Sequence, residues 1–306
     1  ELHDPQRMNS FSPELAEDVV EAAKCLARHG PSVRAVVLQG AGPHFSVGGN
    51  PFQRDTKRLP LAVSAAAICG LYDGFFELRA LDKPIVCAVH GKLIGGGIAA
   101  FLNTDYVVAD SHATFEHGNL VRGVCPLGML SRTLPWSVGL ARTLSIYLRN
   151  EILDAGSALD RRLVHEVCEQ GVDATQRRAC EAACVLAQSL SLARALIDLR
   201  LPVDEALRTA EARGHALCRQ FHGGGFAKAA PKATHPLRLE LAPKVVEALS
   251  FEEIWREGSA RARYGGIGSA AIGNWGRREV GHLQRGQSEV RAVGISLREL
   301  CSSFGL

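Results

Sequence analysis

One stretch constrains this 306-residue chain more than any other: an apolar run that passes through clustered glycines into a second apolar run, Lys83 to Asp105, KPIVCAVHGKLIGGGIAAFLNTD. Pro84 to Val89 is of strand type, and Ile98 to Leu102 reads as the start of a buried helix. Between them His90 to Gly97, HGKLIGGG, supplies a tight turn. A strand that runs through glycines into a helix brings bare backbone N–H groups together at the helix N-terminus, where negative charge is favoured.

The flanking segments predict an alternation of strands and helices. Ser12 and Pro13 start a helix that carries Leu15, Val19, Ala22, Ala23 and Leu26 at helical spacing through Arg28. Val33 to Gln39, nearly continuous and β-branched, suits an interior strand covered on both faces. Gly40 to Asn50, GAGPHFSVGGN, is then a loop at the strand's carboxyl end, where ligands sit in α/β folds. A long helix is expected over 61–81, with strands over 106–109 and 113–115 and a loop over 122–134. Helices are expected over 136–148 and 157–162, and a strand over 163–167. Three further helical stretches, 174–189, 191–199 and 204–221, complete the ordered part. This order argues for α/β architecture. Gly223 to Pro236, GGGFAKAAPKATHP, breaks the composition, so a boundary is placed there, with 1–222 a catalytic domain and 223–306 a linker or adapter tail. Within that tail Gly265 to Gly273, GGIGSAAIG, follows no strand and is read as linker rather than as a phosphate loop.

Bulk properties exclude several classes. A net charge of +3 is too small a bias for a nucleic-acid footprint. No apolar run approaches the roughly 20 residues that span a bilayer, so no membrane association is expected. Nine cysteines, scattered among apolar residues, read as reduced thiols of a cytoplasmic protein. Cys180 and Cys184 lie one turn apart in CEAAC, but no CxxC or paired histidine accompanies them, so no metal is expected.

Three motifs agree in order and spacing with one family: FSVGGN at Phe45 to Asn50, the HGKLIGGG core, and FEHGNLVRGVCPLGM at Phe115 to Met129. From about Arg7 to Phe221 the chain resembles the enoyl-CoA hydratase/isomerase (crotonase) superfamily. The resemblance implies a ClpP/crotonase-like fold of β-β-α units with a helical C-terminal section, assembling as a homotrimer. It also implies a thioester substrate held on CoA or on the phosphopantetheine of an acyl carrier protein, with no further cofactor. In that family two backbone N–H groups polarise the thioester carbonyl and stabilise an enolate; carried over, they fall on Gly49 and Gly96.

The resemblance breaks where the hydratases keep two glutamates, because those positions hold Ala99 and Asn119. An alanine cannot transfer a proton, and an amide has no useful pKa for acid–base work. The pattern is similar to the glutamate-lacking decarboxylases of polyketide β-branching, whose glycine- and proline-rich loop Gly123 to Met129 resembles. That branch also has an assisting lysine on the helix over the pocket, whereas here 61–81 contains none and Lys57 lies upstream. Its assisting histidine has two counterparts, His215 and His222. His117 and Glu116 are further proton-transfer candidates, and Lys92 is a candidate for the pantetheine or a phosphate. Tyr72 is read as core and His90 as a satisfied strand-end residue. Decarboxylation of an unsaturated β-branched acyl thioester is thus the leading expectation. An enoyl-CoA isomerase or atypical hydratase of fatty acid metabolism and a catalytically silent binding or assembly domain are the alternatives.

Overall fold

The computed structural model describes residues 1–28, 33–49, 59–221 and 289–290. In chain order the elements are β1 (Leu2–His3), α1 (Pro13–Arg28), β2 (Val36–Gln39), α2 (Leu61–Gly70), α3 (Asp73–Arg79), β3 (Ile85–Val89), β4 (Lys92–Ile94) and α4 (Gly96–Phe101). They continue as β5 (Tyr106–Asp110), β6 (Thr114–Glu116), α5 (Leu130–Val138), α6 (Leu140–Arg149), β7 (Ile152–Asp154), α7 (Ala155–Asp160) and β8 (Glu166–Cys168). Last come α8 (Val172–Gln188), α9 (Leu190–Asp198), α10 (Glu205–Phe221) and β9 (Glu289–Val290), which pairs antiparallel with β1. The helical C-terminal section is thus α8 to α10.

A wholly parallel sheet in the order β2-β3-β5-β8 forms the centre. All five residues of β3 are fully buried, which explains why its sequence is continuously apolar rather than alternating. On one face Val86, Ala88 and Val108 pack against Ala179, Ala182 and Ala183 of α8. On the other, Cys87 and Val89 join the main core with Ile98, Phe101 and Phe115, the last two rings meeting edge to face at 5.8 Å. A second sheet, β4-β6-β7, stands beside it; β4 runs parallel to β6, and β7 antiparallel.

Several expected elements differ. The helix over 61–81 is two helices bent by 44° at Leu71–Tyr72. The break turns the Tyr72 ring edge-on to Phe11 at 5.5 Å, and Gly74 beyond it lets α1 approach so closely that a methyl there would overlap Val19. The loop over 122–134 stops at Met129, and the helix over 136–148 is divided at Gly139, whose φ of 85° ends α5 and caps α6. The glycine turn over 90–97 contains a strand, β4.

The tail proposed over 223–306 lies outside the described residues except for β9, as do Lys57, His222 and the GGIGSAAIG segment. Among the described residues no single helix is long and apolar enough to cross a membrane; two consecutive pairs, α2 with α3 and α8 with α9, reach the length only across bends of 44° and 103°.

Candidate active site

The FSVGGN loop is laid against the glycine turn by bonds from both sides. Phe45 N–H donates to the His90 carbonyl at 2.9 Å, and Phe11 N–H to the Gly48 carbonyl at 2.7 Å. Ser46 Oγ donates to the Asn9 carbonyl at 2.7 Å and accepts from Gly48 N–H at 3.1 Å. Asn9, fully buried, spans the loop's entry: its Nδ2 donates to the carbonyls of Ala41 and His44, each at 2.8 Å, and its Oδ1 accepts from Asp4 N–H. His90 Nε2 holds the same entry through the Gly42 carbonyl at 2.8 Å, and burial lowers its pKa. Asn9→Ala leaves two buried backbone groups and one part-buried carbonyl without a partner and is expected to cost about 2–4 kcal/mol, read by urea unfolding.

The turn itself is set by Gly95, whose φ of 48° and ψ of −99° suit only glycine. Its N–H donates to the Glu116 carbonyl at 2.9 Å, and its carbonyl accepts from Ile98 and Ala99. Gly96 and Gly97 therefore begin α4 with N–H groups that have no acceptor among the described residues, and the same holds for Gly49. The two segments touch. A methyl on Gly48 would overlap the Ile94 carbonyl and fall 2.7 Å from Gly96 N, and one on Gly97 would overlap the Ser46 carbonyl. At Gly49 a methyl would meet nothing within 4 Å, so the steric need for glycine in this loop falls on Gly48.

Apolar and neutral groups surround these donors. A methyl on Gly96 would overlap the Tyr72 hydroxyl and lie 3.2 Å from Phe11 Cε2. Tyr72, read from sequence as core, is buried with its ring in the core and its oxygen beside Gly96; burial, assisted by nearby Glu211, raises its pKa and keeps it neutral. Ala99 is fully buried and offers a methyl. Asn119 Nδ2 donates to the Cys125 carbonyl at 2.9 Å, while Oδ1 is buried without a donor and faces Gly95.

The other candidates separate. Glu116 is occupied: Oε1 accepts from Arg122 Nη1 at 3.2 Å and Asn150 Nδ2 at 3.0 Å. His117 turns its ring edge-on to Tyr147 at 4.7 Å with Nδ1 unpartnered, and burial lowers its pKa to about 4. His215 donates from Nδ1 to the Cys125 carbonyl at 2.8 Å, and burial again lowers its pKa to about 4. Lys92 is exposed at the start of β4, three residues before Gly95.

Glu211 escaped the sequence reading. Buried on α10, it accepts from Met129 N–H at 2.7 Å, Ser131 N–H at 3.1 Å and Ser131 Oγ at 2.5 Å, so one helix caps the N-terminus of another, α5. Burial pushes its carboxyl up while these bonds pull the other way. With His215 and Cys218 it forms an i, i+4, i+7 stripe that grips residues 125–131. Among the described residues no cluster of three His, Cys, Asp or Glu is placed to hold a metal. The described cavity of about 570 Å³ lies away from the glycines, between Trp136, Leu159, Leu199 and Arg200.

The two most strongly depressed histidines, His117 and His215, fix a pH dependence, and the depressions of His90 and His165 act in the same direction. Each is neutral when folded, and each would take a proton below about pH 6.5 once unfolded. The contribution of these histidines is therefore fully present above pH 6.5 and is lost as pH drops toward 4, by roughly 3 kcal/mol per imidazole at most. Denaturant titrations at pH 7 and pH 5 should show the loss, and His215→Gln should make it shallower.

A family model described as enoyl-CoA hydratase/isomerase matches residues 1–232. Among proteins similar to this chain is the probable enoyl-CoA hydratase EchA12 of Mycobacterium tuberculosis, 33% identical over 165 residues, which cover 51% of this chain and 57% of that protein. Another is the (E)-benzylidenesuccinyl-CoA hydratase of Thauera aromatica, 32% identical over 172 residues, 55% of this chain and 64% of that one. The chain thus spans less than two thirds of the length of either relative. A crystal structure of an enoyl-CoA hydratase from Polaromonas sp. JS666 superposes with a TM-score of 0.56 at 28% identity, covering 72% of this chain and 87% of that one.

Proposed function

Because the chain belongs to the enoyl-CoA hydratase/isomerase family, we propose that it acts on an acyl thioester whose carbonyl oxygen takes hydrogen bonds from the Gly49 and Gly96 amides. Two donors preset for a developing oxyanion stabilise an enolate, each contributing about 2.7–4 kcal/mol by the usual mutational measure. One observation carries the choice of reaction: the positions where a base would stand hold the Ala99 methyl and the Asn119 amide, whose Nδ2 is already committed to the Cys125 carbonyl.

A reaction that forms an enolate without removing a proton suits such a site. We therefore favour decarboxylation of an unsaturated β-branched acyl group, as in polyketide-type biosynthesis. The electrons of the breaking C–C bond pass into the thioester enolate as carbon dioxide leaves, and the carbanion carbon is then protonated. Tyr72, kept neutral by burial, is the donor nearest Gly96 and delivers that proton, which solvent replaces. The thioester is carried on CoA or on an acyl carrier protein, with Lys92 as the group that would meet its phosphates. A homotrimer would bury exposed Trp136, Leu190 and Leu199, and light scattering of the full chain tests it.

The second reading, hydration or isomerisation of an enoyl-CoA, rests on similarity to proteins named as hydratases. Incubation with a glutaconyl thioester, on CoA and on carrier protein, followed by mass spectrometry separates the readings. Loss of carbon dioxide is the expected result. A hydrated or isomerised crotonyl-CoA or hexenoyl-CoA product, with glutaconyl unchanged, overturns decarboxylation. Thioester binding without turnover of any of these supports a silent binding domain.

A further inference from the structure

We propose that Cys125 and Cys218 form a reversible disulfide that fastens the glycine- and proline-rich loop over residues 123–129 to α10. Their sulfurs lie 3.6 Å apart, both half-buried, although 93 positions separate them in sequence. A disulfide needs about 2.05 Å, so the sulfurs must close by roughly 1.5 Å. The rest of the stripe has already brought the partners into register, Glu211 through Met129 and Ser131 and His215 through the Cys125 carbonyl. Gly214, one turn before Cys218, leaves room beside Cys125, since a methyl there would stand 3.3 Å from the Cys125 sulfur.

The chemistry balances with a hydroperoxide as oxidant. The Cys218 thiolate attacks hydrogen peroxide and becomes a sulfenic acid, releasing water after proton transfer. The Cys125 sulfur then attacks the sulfenic sulfur, forming the S–S bond and expelling a second water. Overall two thiols lose two hydrogens and one peroxide becomes two waters; a dithiol reductant reverses the bond by exchange. Cys218 is suited to attack first, because the hydrogen bond from the Cys125 thiol favours its thiolate.

The link also reaches the glycine turn. Asn119 Nδ2 is bonded to the Cys125 carbonyl, so tying Cys125 to α10 holds the amide that faces Gly95. None of this depends on which thioester reaction the site performs.

The test uses the full chain treated with hydrogen peroxide, blocked with iodoacetamide and digested with trypsin. Cys125 lies in the peptide over residues 123–132 and Cys218 in that over 214–219. A covalently linked pair of these two peptides, abolished by dithiothreitol and absent from Cys218→Ser, is the expected result. With it, amide exchange over 120–131 should slow and the unfolding midpoint should rise by about 5 °C or more. Recovery of both cysteines alkylated after oxidation elsewhere in the chain overturns the proposal. So does Cys218 ending as a sulfinic acid with Cys125 free. The peptide mapping needs only the unmodified sequence, so misfolding of a serine variant leaves it decisive.

Discussion

Gly96→Ala is expected to lower turnover of a thioester substrate by about 10²–10³-fold, the loss that follows removal of one oxyanion donor from an acyl-transfer site. The added methyl would overlap the Tyr72 hydroxyl and come 3.1 Å from Gly48 Cα and 3.2 Å from Phe11 Cε2. It would therefore drive the FSVGGN loop away from the start of α4 and separate the two donors. Adding Tyr72→Phe removes the oxygen that the methyl strikes but leaves the contacts with Gly48 and Phe11. The double variant should thus recover much of any lost unfolding midpoint. Because Tyr72 is also the proposed proton donor, its rate is compared with that of Tyr72→Phe alone, the further loss reporting the displaced Gly96 amide. Steady-state kinetics together with thermal unfolding separate the two effects. A folded Gly96→Ala protein that turns over at the original rate would show that the Gly96 amide has no part in the chemistry.

The largest stability effect is expected at Arg200, far from the glycines. Its side chain is 7% exposed and every guanidinium N–H is engaged. Nε and Nη2 donate to the two carboxylate oxygens of Asp105 at 2.7 and 2.6 Å; Nη1 donates to the carbonyls of Arg79 and Leu81, and Nη2 also to that of Lys83. Asp105 in turn accepts from Ile85 N–H at 2.7 Å. A single side chain, two residues beyond α9, thus holds the chain between α3 and β3 and the entry to β5. Arg200→Ala strands a buried carboxylate and three carbonyls, at a cost of about 3–5 kcal/mol. In a domain of this size that lowers the unfolding midpoint by roughly 10 °C. Arg200→Met with Asp105→Leu should recover part of the loss, because it removes the unpaired charge; a single substitution that costs less than the double would contradict the role given to Asp105.

Strong local signals made the frame legible. The run Pro84 to Val89 announced a strand, Ser12 with Pro13 announced α1, and the glycines of 95–97 announced the turn that begins α4. The burial on both faces expected of Val33 to Gln39 belongs instead to β3, because β2 is a half-buried edge strand of the sheet. What stayed hidden depends on partners distant in sequence. β4 is three residues long and exists because β6 pairs with it, so no periodicity within HGKLIGGG could reveal it. Tyr72 looked like one more apolar position on a continuous helix, and only the bend after α2 turns its oxygen toward Gly96. Asn9 and Arg200 look like ordinary polar residues until the carbonyls they bind are known. The spacing of Glu211, His215 and Cys218 was visible, but three dissimilar side chains on one face carry no pattern unless the 125–131 loop is seen beneath them.

That grip of α10 on the loop also sets an order of events during synthesis. The sheet strands β2, β3, β5 and β8 all lie before residue 169, and α8, which covers one of their faces, ends at Gln188. Asn119 Nδ2 and Asn103 Nδ2 already hold the Cys125 and Gly128 carbonyls, but the side-chain bonds to Met129 and Ser131, and the further ones to Cys125, come from residues 211–218. A growing chain can therefore assemble its layered core while the loop beside the glycines is still only partly tethered. The loop is fully held only when the last helix emerges, so a nascent chain halted before residue 205 should fold its sheet and yet be more open to protease within 123–131 than the full chain.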